Sequence, residues 1–115
     1  MVTVTIVIKE TSSGSKNEIS ISVDPYELSL ASQPTPVDIE WQLDNTQATA
    51  WVFTSKGVDI KGAGNVFQNN GGSGNGKKHG WQRKQKDNKT YKYSINLENA
   101  TDHTELTWDP FIVND

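Results

Sequence analysis

Residues 37–44 read VDIEWQLD, and this stretch decides the fold class. Its apolar members are Val37, Ile39, Trp41 and Leu43, and a polar residue follows each of them. Successive side chains of a β-strand point to opposite faces, so this alternation indicates a strand with one apolar face. The stretch therefore predicts a sheet that rests one side on a core and exposes the other side to water.

Three further runs repeat this period of two, at residues 2–9, 19–24 and 91–98. Shorter strands are predicted at 26–30, 48–54 and 58–61, and turn-forming residues such as SSGS at 12–15 and SQPTP at 32–36 separate the runs. No long stretch shows a helical period. Strands that recur every roughly ten residues predict an all-β domain, an antiparallel β-sandwich of the immunoglobulin-like kind. A small β-barrel and a cupredoxin-like sandwich are the alternatives.

Two aromatic positions favour the immunoglobulin-like interpretation. Trp41 lies in the middle of an early strand, where such domains place a core Trp. Tyr91 opens the penultimate strand, at the position of the tyrosine whose hydroxyl reaches back to the backbone in these sandwiches. The expectation concerns architecture alone, because the chain has no cysteine for an inter-sheet disulfide.

Length and composition limit the classes of protein that remain. The 115 residues suit one domain, which we predict to span residues 1–115, and the formal net charge of −3 argues against a generally basic nucleic-acid binder. The apolar runs are too short to span a bilayer, so no membrane partner is expected. The first residues, MVTVTIVIKE, alternate like a strand and lack a basic leader region. We predict a cytoplasmic chain, and a mature chain whose leader was removed fits the same pattern.

The C-terminal quarter carries two short motifs, Tyr91-Lys92-Tyr93 and Trp108-Asp109-Pro110. Pro110 has no amide hydrogen to donate, which predicts that it interrupts the final strand. This arrangement resembles the DP-EP family of small bacterial β-sandwich proteins, and the resemblance implies a fold without an assigned chemistry. A blue-copper site is excluded even for a cupredoxin-like fold, because the chain has no Cys and its one methionine is Met1.

One stretch differs from the rest of the chain, GNVFQNNGGSGNGKKHGWQRKQK at residues 64–86. Its Gly/Asn-rich part predicts a flexible loop at about residues 64–78, and its basic part concentrates cations around a Trp. Cations beside an aromatic ring are the chemistry that binds phosphates and stacks bases. We therefore predict a partner surface here, for an anionic polymer or a protein. Its residues are Lys77, Lys78, His79, Trp81, Arg83 and Lys84. The competing interpretation is a solvated hairpin whose lysines deter edge-to-edge pairing.

Other activities have weaker signals. The four Trp residues leave a carbohydrate-binding module open if two of them share an exposed face, and the Thr- and Ser-rich early strands leave a self-associating structural domain open. Acidic residues with one imidazole occur at 98–105, but the spacing matches no Ca²⁺ loop. No nucleophile motif is present. The sequence therefore predicts a binding or accessory module that is not an enzyme and uses no cofactor or metal.

Overall fold

The structure is a computed structural model that describes residues 1–13, 16–44 and 50–115. Within these residues the chain forms ten β-strands and one 3-10 turn, Gly74–Gly76. The strands are β1 (Val2–Ser13), β2 (Lys16–Asp24), β3 (Glu27–Ser29), β4 (Val37–Asp44), β5 (Trp51–Ile60), β6 (Phe67–Ser73), β7 (Lys78–Arg83), β8 (Lys89–Asn99), β9 (Glu105–Trp108) and β10 (Phe111–Asn114). The predicted all-β class is confirmed. Parts of two predicted features, the turn at 12–15 and the strand at 48–54, lie outside the described residues.

The strands form the two sheets of a β-sandwich. One sheet has the order β2-β1-β4-β7-β6, and the other has the order β3-β10-β8-β5 with β9 added beside β8. The sheets are mixed, because β1 pairs in parallel with β4 and β3 pairs in parallel with β10. The prediction of wholly antiparallel pairing was wrong in these two places. The chain leaves the first sheet after β2, forms β3 in the second sheet and returns as β4, and such a crossover is what a parallel pair needs.

The core lies between the sheets and follows the alternation in the sequence. Val4 pairs with Trp41 across β1 and β4, and both side chains are buried. Trp41 meets Tyr93 of the opposite sheet edge to face, with 5.3 Å between ring centroids. Burial raises the pKa of Tyr93 to about 12, so its hydroxyl stays protonated within the core. Trp41 is therefore the core tryptophan that the sequence predicted.

The final strand is interrupted where the sequence predicted. β9 and β10 pair with successive halves of β8, and Asp109 and Pro110 separate them. Pro110 still accepts a hydrogen bond from the Tyr93 amide at 3.1 Å through its carbonyl oxygen. The two motifs of the C-terminal quarter are thus direct neighbours in the second sheet.

The predicted loop at about 64–78 contains a β-strand instead. Phe67 anchors β6 in the core, and residues 67–73 pair with β7 except at a bulge between Asn69 and Gly71. Gly71 has φ +83°, a conformation that residues with a Cβ rarely adopt, and the bulge depends on it. Composition suggested a loop because Gly and Asn have low strand propensity, which an edge strand tolerates.

Arg83 joins the two sheets from inside the sandwich. Its side chain has 0% exposure. It donates hydrogen bonds to the carbonyl oxygens of Leu30, Gln33 and Pro34 and to the side-chain oxygen of Asn114, at 2.9 to 3.2 Å. None of these acceptors is a carboxylate. A full charge is thus held by neutral oxygens, which works only while each acceptor stays in place.

We expect the substitution Arg83→Met to lower the free energy of unfolding by about 3 kcal/mol, because it leaves buried carbonyl oxygens without a donor. The neighbouring exposed Lys84 supplies the control, since Lys84→Met should change stability by less than about 0.5 kcal/mol. Urea denaturation of the two variants measures both effects. Equal stability of Arg83→Met and the unsubstituted protein would show that the network contributes little.

Candidate functional site

The structure separates the six residues of the predicted partner surface. Lys77 and Lys78 lie at the start of β7, beside the 3-10 turn, and Lys84 follows its end. Six residue steps of extended chain place Lys78 and Lys84 roughly 20 Å apart. Lys78 forms an ion pair with Glu40 at 3.7 Å, and the ammonium of Lys77 donates to the Trp51 carbonyl at 2.7 Å. The six residues therefore do not form one surface.

The other three residues of that set face the core. His79, Trp81 and Arg83 alternate along β7 and are all buried. The Trp81 indole donates to the Val58 carbonyl at 2.7 Å. A ring in this position has no face left for a ligand, so the stacking platform expected beside the cations is absent from Trp81. The sequence signal for this buried face is that the three side chains occupy every second position of the strand. The Gly- and Asn-rich composition of the neighbouring residues obscured that signal.

His79 packs tightly against an irregular part of β5. Its ring nitrogen Nε2 lies 2.9 Å from the Asn69 side-chain oxygen, and its ring meets Phe53 edge to face. Gly57 has φ +55°, and a Cβ there would collide with the His79 ring. Burial lowers the pKa of His79, because the imidazolium would lose its hydration. His79 is thus a neutral packing residue at neutral pH.

Five exposed lysines lie towards the end of the sandwich opposite the 3-10 turn, and we call this the lysine-rich end. Its members are Lys61, Lys84, Lys86, Lys89 and Lys92. The Lys61 amide donates to the Lys92 carbonyl, which extends the β5–β8 ladder and sets these two side chains opposite each other. The Lys84 amide donates to the Val66 carbonyl at the same end. Among the described residues, none of the five has a carboxylate partner within ion-pair distance.

Asp87 is the acidic residue within this group of cations, and the fold engages it. Its carboxylate accepts hydrogen bonds from the Tyr91 hydroxyl, the Lys89 amide and the Asn114 side chain. Desolvation opposes ionisation, but these hydrogen bonds outweigh it and lower the pKa of Asp87. Burial and the bond to Asp87 together raise the pKa of Tyr91 to about 12. The tyrosine hydroxyl thus contacts a side chain, where the sequence predicted a backbone contact.

A polar cleft of about 230 Å³ lies over β8 on the outer face of the second sheet. Residues 54–57 of β5 arch away from β8 and form one wall, and β9 forms the other. Asn96 on the floor donates to the Gly57 carbonyl and to the Ser94 hydroxyl, both at 3.0 Å. The Thr107 hydroxyl donates to the Asn96 side-chain oxygen at 3.3 Å. The floor is therefore occupied by its own hydrogen bonds, and the cleft is smaller than usual ligand pockets.

The remaining sequence signals are dispersed. The acidic loop holds Asp102 and His103, and no group of three or more His, Asp or Glu in the described part of the chain could hold a metal ion. Of the four Trp residues, Trp108 is the exposed one, at 41%. An aromatic platform made of two exposed Trp rings is therefore not present.

The chain matches no protein-family model, and no curated protein is similar enough to count as a relative. Within the described ranges, no helix is long and apolar enough to cross a membrane.

We expect the stability of the protein to fall as the pH drops below about 6.5, because the unfolded chain binds a proton at His79 more readily than the folded chain does. As the pH decreases, the neutral imidazole of His79 that the fold favours becomes protonated, and its contribution to stability is lost. Urea denaturation between about pH 7.5 and pH 5.5 measures this slope.

The substitution His79→Gln should flatten the slope, because glutamine has no group that titrates in this range. A slope that persists in His79→Gln would assign the pH dependence to other groups.

Proposed function

We propose that this protein is a non-catalytic binding module that holds a linear polyanion at its lysine-rich end. The observation that supports this is the presence of five exposed lysines at one end of the sandwich, none of which has a carboxylate within ion-pair distance among the described residues. Like charges gathered at one end of a domain repel each other, and an anionic ligand relieves the repulsion. The proposal keeps the anionic partner suggested by the sequence and moves its site from the whole basic stretch to one end of the sandwich.

The fold gives the lysine-rich end a rigid base. Arg83 and Asn114 hold the last strand beside β7, and Asn114 also donates to the Gln85 carbonyl at 3.0 Å. The turn that carries Lys84 and Lys86 is thus fixed to the core, while its lysine side chains extend into water. Contacts between lysine side chains and phosphates depend on the spacing of the charges and do not distinguish one nucleotide sequence from another.

The net charge of −3 shapes how such binding behaves. The acidic remainder of the surface repels a polyanion at long range, so attraction acts only within roughly a Debye length of the lysine-rich end. Binding should therefore be modest in strength and steeply dependent on salt, because each phosphate contact releases condensed counterions.

The other interpretations of the sequence have less support. The carbohydrate module relied on Trp rings on one exposed face, and Trp41, Trp51 and Trp81 are buried. On the described strand edges, no pattern of charges favours pairing with a second copy of the chain. The resemblance to the DP-EP family, carried by the adjacent motifs at 91–93 and 108–110, remains a proposal about ancestry and adds no ligand.

The test compares two triple variants that lose the same charge. We expect Lys61→Gln, Lys84→Gln and Lys86→Gln together to weaken binding of a single-stranded oligonucleotide at least about tenfold in low salt. The matched control replaces three exposed lysines elsewhere, Lys9, Lys56 and Lys78, by Gln, and should retain affinity within about threefold. Fluorescence anisotropy at several salt concentrations gives the affinities and the salt slope.

The slope should become shallower only in the first variant. Absence of salt-dependent binding to the oligonucleotide and to heparin in the unsubstituted protein, or an equal loss in the two variants, would contradict the proposal.

A further inference from the structure

One side of the sandwich is open, between the edge strands β2 and β9. β5 lies against β6 and β7, which closes the other side. On the open side, the chain crosses from β2 to the second sheet at Tyr26, whose hydroxyl donates to the Asp109 carbonyl at 3.3 Å. Farther along, Ile19 of β2 and Thr104, just before β9, line a cleft of about 140 Å³ whose far wall is Trp51 of β5. These two points bring the ends of β2 and β9 near each other, and we call the opening between these two edge strands the β2–β9 slot.

Apolar side chains of both sheets face this slot. Ile21 pairs with the buried Ile8, and Trp108 pairs with the buried Ile95, so both point to the interior side of their sheets. Leu106 shares the inward face of β9. Yet Ile19 is 39% exposed and Trp108 is 41% exposed, which is unusual for residues on a core face. The slot thus presents apolar surface that no described residue covers.

The backbone of β9 is also free along the slot. β3 pairs with β10 but does not continue beside β9, so β9 has β8 as its partner and a free outer edge in the described part of the chain. The Asn99 amide donates to the Thr104 carbonyl, so these two residues form a hydrogen-bonded pair. Hydrogen-bonded and non-hydrogen-bonded pairs alternate along an antiparallel ladder, and this bond therefore fixes which residues of β9 bond to β8. Leu106 and Trp108 then direct their backbone groups to β8, and Glu105 and Thr107 direct theirs outward.

We propose that the β2–β9 slot binds an extended peptide segment of a partner protein, which adds a strand to β9 in line with β3. The main chain of the segment would pair with the outward groups of Glu105 and Thr107, and alternate apolar side chains would cover Leu106 and Trp108. This is strand addition to an open sheet edge, in which main-chain bonds give affinity and alternate side chains give specificity.

The charges around the β2–β9 slot determine which residues the partner segment carries at its two ends. Exposed carboxylates surround the opening, at Asp24, Glu27, Asp102, Glu105 and Asp109. None of them has an ion-pair partner among the described residues. The partner segment is therefore apolar at alternate positions and carries Lys or Arg at its ends. This surface and the lysine-rich end, which adjoin at Phe111, attract ligands of opposite charge.

The experiment uses a fluorescein-labelled peptide of alternating Val and Thr with Lys at both ends, titrated with the full chain and followed by fluorescence anisotropy. We expect saturable binding that weakens in high salt. The substitution Thr107→Pro removes one of the two outward amide hydrogens, that of residue 107, without touching a bond to β8, and should weaken binding about tenfold or more. Thr107→Ala is the matched control, because it loses the same hydroxyl and keeps the amide, and it should bind like the unsubstituted protein.

A second measurement keeps the proposal testable if Thr107→Pro does not fold. The same peptide methylated on every backbone nitrogen has no amide hydrogen on either edge to donate to a strand, and should not bind the unsubstituted protein. Equal binding of the two peptides, no binding of either, or equal affinities of Thr107→Pro and Thr107→Ala would overturn the proposal. So would a dimer in sedimentation that Thr107→Pro dissociates, since the occupant would then be a second copy. Replacing Lys61, Lys84 and Lys86 by Gln should leave peptide binding unchanged, which separates this site from the proposed polyanion site.

Discussion

The buried guanidinium of Arg83 is the interaction on which the end of this sandwich depends. It belongs to the first sheet, and its acceptors belong to the segment after β3, the loop before β4 and the last residues of β10. A buried charge without an opposing charge is costly, so the oxygens around it are not interchangeable with water. The network continues through Asn114 to Asp87 and Tyr91. One side chain therefore fixes the connection between β3 and β4 directly, and the turn between β7 and β8 through Asn114, at the end where the exposed lysines lie.

The crossover from β2 through β3 to β4 supplies acceptors to Arg83, and the same crossover leaves the sandwich open between β2 and β9. After β2 the chain moves to the second sheet and forms only the short strand β3 before it returns. This short excursion is long enough to supply Leu30 to Arg83 and too short to cover β9. The parallel pairing of β1 with β4 and the free edge of β9 are thus two consequences of one chain path. A longer β3 would have closed the slot and buried Trp108.

The sequence was sufficient to predict what depends on neighbouring residues. Alternation around Trp41 placed its strand face in the core, and Pro110 placed the break between the last two strands, because each effect acts within a few residues. The pairing of β1 with β4 depends on a crossover that no local pattern encodes. Arg83 was assigned to the surface because charged residues are rarely buried, and its acceptors come from distant parts of the chain. His79 and Trp81 were misplaced for a different reason, since a glycine- and asparagine-rich neighbour hid the strand period.

Although its net charge is small, this molecule has two surfaces of opposite charge. The 11 lysines and arginines and 14 acidic residues nearly cancel in the sum, yet the fold segregates part of each group. Cations gather where β5, β7 and β8 reach one end, and carboxylates surround the opening between β2 and β9. Because screening in physiological salt limits each field to about 8 Å, a ligand senses the local surface and not the total. The polyanion site and the peptide site that we propose therefore lie on surfaces of opposite charge, and each would select its ligand by that local charge.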